Sequence, residues 1–335
     1  MQKQVVIERK IYKKRRKWKK KKAKYNLYRN LEKKSVRRKI KRESYKPKIV
    51  KIPSLFSLPS EREAVLIFFN SLDSVHYKTA RYLFFDFSEV IEISHGAITI
   101  LLSFIGWLND QGVRASGNFP DDPDAKEKFE KSGFLEFFKT IGKRSYEKGM
   151  NTIVARGEKR TNSELSSKLI RKSTKTVWNI EDKNMKVQGM LIELMANTIN
   201  HAYAGGKYQK GWYFSVDHIP DENKVKFCFV DNGHGILKTL RKKFPDKIAS
   251  FIGGKFGNNI IKRAFDGEFG SRTKLSNRGR GLKAIKKVYQ LGYIKSLKVI
   301  TNNIYYDFEN DTAEELKTYF DGTFYFWEID NTCKR

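Results

Sequence analysis

Charge is spread so unevenly along this chain that its first segment cannot form a compact fold on its own, whereas the remainder can. Residues 1–51 hold 24 Lys and Arg against 3 acidic residues, so this segment carries +21 of the formal net charge of +31. Like charges at this density repel one another, and the segment has little apolar surface to bury. We therefore predict a basic arm over residues 1–51, disordered or helical, followed by globular sequence from residue 52.

Aromatic side chains are interleaved with the cations of the arm, at Tyr12, Trp18, Tyr25 and Tyr28. Aromatic rings stack on bases, and cations displace counterions from phosphates. The pattern makes RNA or DNA a candidate partner of the arm. A solvated tail and contact with an anionic membrane surface stay open as alternatives, because a block of charge is a weak motif.

The composition of the rest of the chain is typical of a globular protein. Apolar residues make up 39% of the sequence and aromatic residues 13%, which suffices for two compact domains. Two cysteines, Cys228 and Cys333, allow neither a disulfide framework nor a Cys-rich metal site. The longest apolar stretch, residues 97–108, is too short to span a bilayer. We expect a soluble, cytoplasmic protein without a transmembrane segment.

A small α/β domain is predicted over residues 52–150. Apolar runs predict strands over residues 64–69 and 81–90, and a longer apolar pattern predicts a helix over residues 97–110. Alternation of strands and helices over so short a length is typical of a compact α/β fold. Beyond this domain, apolar residues at helical spacing predict a connecting helix within residues 151–182.

The turn before the helix over residues 97–110 contains Ser94, His95 and Gly96. The stretch DFSEVIEISHGAITIL, residues 86–101, resembles the corresponding part of STAS domains, the fold of anti-sigma-factor antagonists. In regulatory members of that family a partner kinase phosphorylates a serine of this turn, so the resemblance implies that Ser94 is a candidate switch. From the residues alone, Ser94 is equally suited to cap the helix, a common role for serine. His95 is expected to be an inert surface histidine.

A helix is predicted over residues 183–204, which contain the stretch ELMANTINHA. At about 100° per residue, Glu193, Asn197, Asn200 and His201 form one contiguous polar stripe. The opposite side is apolar: Leu191, Leu194, Met195, Ile199 and Ala202. A merely solvated stripe would be expected to carry Lys and Glu. Carboxylate and amide oxygens suit Mg²⁺, which usually reaches a protein through substrate phosphates, so the stripe indicates a binding site.

Two further motifs follow this helix. The apolar strand VKFCFV leads directly into DNGHGI, residues 231–236, where glycines allow a tight turn and the close approach of a flat ligand. Asp231, at the end of the strand, is suited to accept a hydrogen bond from an exocyclic amine. RGRGL, residues 278–282, begins a helix whose free amides would hold phosphates beside Arg278 and Arg280. Taken alone, that last motif is equally an ordinary turn into a helix.

In this order and spacing, the three motifs resemble the N, G1 and G2 boxes of the GHKL ATPase superfamily, which includes gyrase B subunits, histidine kinases and MutL. The resemblance covers about residues 183–330, and the corresponding domain is predicted over residues 183–335. It implies an α/β chain whose C-terminal part is a two-layer α/β sandwich, the Bergerat ATP-binding fold. A smaller STAS-like domain and the basic arm would precede it. The resemblance also implies ATP and Mg²⁺ as ligands.

Carried over by position, the resemblance assigns Asn197 to Mg²⁺, Asp231 to the adenine amine, and Glu193 to the general base that activates water. His201 would stand near the phosphates. Asn200 is a further implied nucleotide contact, at a position where histidine kinases commonly carry a basic residue. The remaining implied nucleotide contacts are Gly233, Gly235, Ile236, Arg278, Gly279, Arg280, Gly281 and Leu282. Residues 237–278 are expected to form a mobile lid.

Two differences between this sequence and the GHKL families reduce the number of possible functions. A histidine kinase needs a phosphoacceptor histidine on an upstream helix, and residues 161–182 contain none. The downstream lysine that completes hydrolysis in the gyrase and MutL branches is not evident, which implies slow turnover. The sequence predicts a nucleotide-dependent switch with slow ATP hydrolysis, acting on a protein or nucleic-acid partner, with a homodimer as one option. The alternatives are an anti-sigma-type serine kinase and a nucleic-acid-binding protein that uses its arm.

Overall fold

The computed structural model describes most of the chain beyond the arm. The described residues are Lys22, 47–75, 81–134, 145–148, 152–157, 160–201, 211–249, 256–269 and 281–335. Most of the predicted arm therefore lies outside the described residues. Its last part does not belong to an arm, because Lys48–Lys51 form a strand that pairs with the globular body. The globular part thus begins before residue 52.

The first unit contains two small parallel sheets. Strands β1 (Lys48–Lys51), β3 (Tyr82–Asp86) and β5 (Arg114–Gly117) form one sheet with β3 in the centre. Strands β2 (Leu55–Phe56) and β4 (Glu92–Ile93) form the other. The helices described in this unit are α1 (Arg62–Val75), α2 (His95–Asp110) and α3 (Pro123–Lys131). The strand predicted over residues 81–90 and the helix over residues 97–110 are therefore confirmed in position.

The strand predicted over residues 64–69 is wrong, because these residues lie in the middle of helix α1. The buried residues of α1 follow helical spacing: Val65, Leu66, Phe68, Phe69 and Leu72. Ile67, inside the same apolar run, is 53% exposed on the other side of the helix. A continuous run of six apolar residues suits a buried strand and a buried helix equally, so the pattern alone could not separate them.

The second unit is built on a six-stranded antiparallel sheet. Its strand order is β10, β11, β9, β8, β7 and β6. The strands are β6 (Ser145–Lys148), β7 (Thr152–Gly157), β8 (Trp212–Ile219), β9 (Lys224–Asp231), β10 (Lys295–Asp307) and β11 (Thr312–Asp330). Strands β6 and β7 lie in segments that the sequence assigns to the N-terminal domain and the connecting helix. The sheet therefore recruits residues well before 183.

Helices cover one face of this sheet, which we call the helix face. They are α4 (Ser163–Trp178), α5 (Met185–His201), α6 (Ile236–Lys243), α7 (Pro245–Ala249), α8 (Phe256–Asp266) and α9 (Gly281–Gln290). The core beneath them is rich in aromatic rings. Phe227 and Trp327 lie on adjacent strands and stack with their centroids 5.1 Å apart. Helix α4 occupies the place of the predicted connecting helix, and it packs into this core through Leu169 and Ile170.

The opposite face of the sheet, which we call the back face, is covered by α1 and α2 of the first unit. Side chains of the sheet share one core with those two helices: Tyr213, Cys228, Val230 and Phe324 with Val65, Phe69 and Leu101. A buried hydrogen bond joins Thr99 Oγ1 of α2 to Ser215 Oγ of β8 at 2.6 Å. The antiparallel sheet therefore lies between the helices of the helix face and helices α1 and α2 of the first unit.

The chain is thus of the mixed α/β class, with both parallel and antiparallel sheets, as the sequence predicts. Among the described residues, no helix combines the length and the apolar character needed to cross a membrane.

The contact between α2 and the sheet can be tested at Gly106. A Cβ atom at this position would lie 2.0 Å from the hydroxyl oxygen of Tyr213, so Gly106→Ala forces α2 or the Tyr213 ring to move. We expect the free energy of unfolding to fall by about 1–3 kcal/mol, measured by urea denaturation.

Gly189→Ala is the matched control, because Gly189 is also inside a helix but a Cβ added there would meet no atom within 4 Å. Alanine is a better helix former, so this variant should gain about 0.5–1 kcal/mol. Equal stability of the Gly106→Ala variant and wild type would contradict the packing of α2 on the back face.

Candidate functional site

Helix α5 carries the polar stripe and packs on the helix face of the sheet. Three apolar side chains on one side of it are buried: Leu191, Leu194 and Met195. Glu193 and Asn197, on the other side, stay partly exposed. The prediction of a helix with one packed and one polar side is confirmed for these residues. Asn200 and His201 continue the helix, but their side chains lie outside the described part of the structure.

The first residue of α9, Gly281, lies directly against the polar stripe of α5. A Cβ at Gly281 would stand 2.9 Å from Asn197 Oδ1 and 3.0 Å from Glu193 Oε2. Only a residue without a side chain allows this approach without displacing the two polar groups. The structure thus brings Gly281 next to two predicted site residues, Glu193 and Asn197, that lie on a helix much earlier in the sequence. Arg278, Gly279 and Arg280 lie outside the described residues, and Leu282 is half-buried against the core.

The amide of Asn197 is the least satisfied group at this junction. Its Nδ2 atom is buried and has no hydrogen-bond partner among the described residues. A buried polar atom without a partner costs about 1–3 kcal/mol, so such atoms are uncommon and tend to occur where a ligand or water completes the site. An asparagine side chain can offer either its amide hydrogens or, turned over, its oxygen. The group therefore suits a ligand rich in oxygen atoms or a cation.

Asp231 ends strand β9 on the helix face, and it is only 8% exposed. The Gly233 amide donates a hydrogen bond to its Oδ1 at 2.8 Å, and Thr323 also bonds to the carboxylate. Burial raises the pKa of the Asp231 carboxyl to about 6, although the hydrogen bonds from Gly233 and Thr323 act in the opposite direction. A buried carboxylate with few donors is suited to accept a hydrogen bond from a ligand.

Asp231 belongs to a row of residues that runs across four strands. Trp212 of β8 is its partner on one side and Thr323 of β11 on the other, and Thr323 in turn faces Thr301 of β10. The indole Nε1 of Trp212 is buried and has no hydrogen-bond partner among the described residues. No sequence motif singles out Trp212, Thr301 or Thr323. The available signal is the pair Gly322 and Thr323 at the start of the apolar stretch TFYFWEI.

The loop after Asp231 is held by the middle of β10. Thr301 Oγ1 accepts from the Ile236 amide at 2.8 Å. The Asn302 side chain donates to the His234 carbonyl at 2.8 Å and accepts from the Lys238 amide at 3.2 Å. Gly235 has a φ of 75°, and a Cβ there would lie 2.4 Å from Asn302 Nδ2, so this position requires glycine. Asn302 is a supporting residue that no sequence motif reveals.

The segment that remains a candidate for the lid is shorter than the predicted range of residues 237–278. Residues 236–249 and 256–266 form helices α6, α7 and α8, whose apolar side chains enter the core of the helix face: Leu237, Leu240, Ile248, Ile260, Ile261 and Phe265. A segment with this much buried surface does not open as a lid. The parts of the predicted lid that remain candidates, residues 250–255 and 270–278, lie outside the described residues.

The turn at Ser94 caps helix α2, as one of the two sequence-based alternatives predicts. Ser94 Oγ accepts from the Ala97 amide at 3.3 Å and from the Leu58 amide at 2.8 Å, and it donates to the Leu58 carbonyl at 3.2 Å. His95 differs from the prediction of a surface histidine. Its side chain is only 17% exposed, and its Nδ1 lies 3.0 Å from Asp217 Oδ2 of strand β8. Ser94 therefore makes structural contacts within the first unit, and His95 makes a contact from the first unit to strand β8 of the second.

The raised pKa of Asp231 predicts a pH-dependent contribution to stability. Between pH 4 and pH 6 the unfolded carboxyl loses its proton while the folded one, with a pKa of about 6, retains it, so the folded state binds more protons. Stability contributed by this group is therefore lost as pH rises through that window. In urea denaturation, wild type should lose up to about 3 kcal/mol relative to Asp231→Asn between pH 4 and pH 7. Parallel profiles of the two proteins would contradict the buried environment of Asp231.

Comparison with models of known protein families gives no match for this chain. Comparison with curated proteins gives no significant match either. The interpretation of the three motifs therefore depends on the residues themselves and on the geometry described above.

Proposed function

We propose that this chain binds Mg·ATP in the manner of the GHKL superfamily and works as a nucleotide-dependent switch with slow hydrolysis. The second unit would then be a Bergerat-type domain and the first a STAS-like domain. The observation that carries the proposal is the approach of Gly281 to Asn197 and Glu193. Asp231 ends strand β9 on the same helix face of the sheet, which supports assigning it to the same site.

Asn197 would hold Mg²⁺ through its side-chain oxygen. Its buried Nδ2, which has no hydrogen-bond partner among the described residues, would then donate to a phosphate oxygen. In the described part of the chain, no three His, Cys, Asp or Glu side chains are grouped closely enough to form a metal site of their own. The remaining ligands would therefore be phosphate oxygens and water, as is usual for Mg²⁺ bound together with a nucleotide. When bound, the ion would neutralise phosphate charge.

Asp231 would recognise the base. Its carboxylate is an acceptor, and adenine offers an exocyclic amine as donor, whereas guanine has a carbonyl oxygen at the corresponding position. A buried acceptor that faces another acceptor is strongly unfavourable, so the site would discriminate between the two bases. The row formed by Trp212, Thr323 and Thr301 would hold this carboxylate in place from both sides.

Glu193 would act as the general base. Its carboxylate lies beside Asn197 where Gly281 approaches helix α5. In the proposed complex it would border the water molecule next to the terminal phosphate. A carboxylate in that position accepts a proton from the water molecule as the water attacks the phosphate.

The proposed partner of the switch is a protein or a nucleic acid. RNA or DNA would be bound by the basic arm. A protein partner includes a second copy of this chain, in a homodimer.

The proposed roles of Asn197 and Glu193 predict different losses. Asn197→Ala should weaken Mg·ATP binding about 30-fold or more, because a ligand to the cation and a buried polar contact are removed together. Glu193→Gln keeps size and hydrogen-bonding groups, so it should bind Mg·ATP within about threefold of wild type but release phosphate about 100-fold more slowly. Calorimetry measures binding, and a phosphate-release assay measures turnover.

Thr198→Ser is a suitable control on the same helix, because Thr198 is buried and bonds only within α5, to the Leu194 carbonyl, in the described structure. It should change neither quantity by more than about twofold. Wild-type protein that binds no Mg·ATP would refute the proposal as a whole. Unchanged phosphate release in Glu193→Gln would refute only the general-base role.

A further inference from the structure

Asn232 lies between two residues of the proposed base site, Asp231 and Gly233, but its side chain is directed to the back face of the sheet. There its Nδ2 donates to the Ser103 carbonyl oxygen of helix α2 at 3.4 Å. The two residues also border a cavity of about 70 Å³ together with Phe320. One residue of the proposed nucleotide loop is thus held by the first unit.

Helix α2 meets the sheet through one stripe of residues at positions 95, 99, 103 and 106. Their spacing of four, four and three places them on a single side of the helix. Their contacts on the sheet are Asp217, Ser215, Asn232 and Tyr213, in that order. Residues 217, 215 and 213 alternate along β8, so they point to one face of it. The helix therefore runs along β8 in register, from the Ser94 turn to the proposed nucleotide loop.

These contacts restrict independent movement of α2. The hydrogen bond between Thr99 and Ser215 is buried, so breaking it removes a buried polar contact between α2 and the sheet and costs free energy. Gly106 lies against the Tyr213 hydroxyl with no free space between them. Helix α2 is therefore held against the sheet at Thr99 and at Gly106. Asn232 contacts the helix between these two positions, at Ser103.

We propose that Asn232 is a positioning residue through which α2 supports the nucleotide loop, so that the seating of α2 and the binding of Mg·ATP stabilise each other. Binding at Asp231 would fix the loop, and the fixed loop would hold α2 on the sheet. By linkage, a loosened α2 would weaken nucleotide binding by the same factor. The second half of this proposal rests on the proposed function, whereas the support of α2 by Asn232 does not.

The chain contains a natural probe for the seating of α2. Cys228 lies on the back face within the core shared with α2, it is 2% exposed, and Ser215 is its hydrogen-bond partner. A thiol reagent can reach it only when the covering helices move away from the sheet. The sequence has one other cysteine, Cys333, which belongs to the core of the helix face. Cys333→Ser therefore isolates Cys228, and Cys228→Ser isolates Cys333.

Without nucleotide, adding Asn232→Ala to the Cys333→Ser protein should speed labelling of Cys228 by about fivefold or more. Asn303→Ala is the matched control, because the side chain of this partly buried asparagine of β10 donates to Glu315 of the neighbouring strand β11 rather than to a residue of α2. Thr99→Val removes the hydrogen bond between α2 and Ser215, so it should also speed labelling of Cys228. Labelling of Cys228 that is the same with and without Asn232→Ala would overturn the support of α2 by Asn232.

With Mg·ATP, labelling of Cys228 should slow by about fivefold or more, and this protection should largely disappear in Asn232→Ala. Cys333 in the Cys228→Ser protein should be protected much less. Equal protection of the two cysteines would indicate general stabilisation and would overturn the coupling. Calorimetry on the same proteins separates the cases: absence of Mg·ATP binding refutes the proposed function, whereas binding without selective protection of Cys228 refutes the coupling alone.

Discussion

Strand β9 must bury both of its faces, and the architecture of the molecule depends on this constraint. From Val225 to Asp231 every residue except Lys226 is buried. A strand without a solvent face needs a layer of structure on each side. The helices of the second unit supply one layer, and α1 and α2 of the first unit supply the other. The carboxylate at the end of β9 consequently lies where little water reaches it, which explains its raised pKa.

The same constraint shows which parts of the fold the sequence could reveal. The run VKFCFV predicts an apolar strand, and β9 confirms it. The similar run at residues 64–69 is helical, because α1 covers the back face of a sheet whose strands come much later in the chain. That information is tertiary and is absent from the local pattern. Strands β6 and β7 are short and carry little apolar alternation, so the sequence offers few signs that they join the sheet.

At the candidate site, the sequence indicated the residues that are proposed to contact a ligand. It did not indicate the residues that keep those side chains in position. Glu193, Asn197, Asp231 and Gly281 were recognisable because their residue types are unusual for their local setting. Thr301, Asn302 and Thr323 are ordinary strand residues whose roles arise from pairing between strands distant in sequence. Asn232 stands inside a predicted motif, yet only the three-dimensional structure shows that its side chain contacts the opposite layer.

Gly322 has a φ of 135°, and a Cβ at this position would lie 2.1 Å from the Asp231 carbonyl oxygen. Any other residue would therefore push β11 away from β9 at the point where Thr323 meets the Asp231 carboxylate. During divergence, these three positions are expected to change together or not at all. An aspartate at the end of a buried strand, paired with a later Gly-Thr at the matching register, is thus a pattern by which distant relatives can be sought.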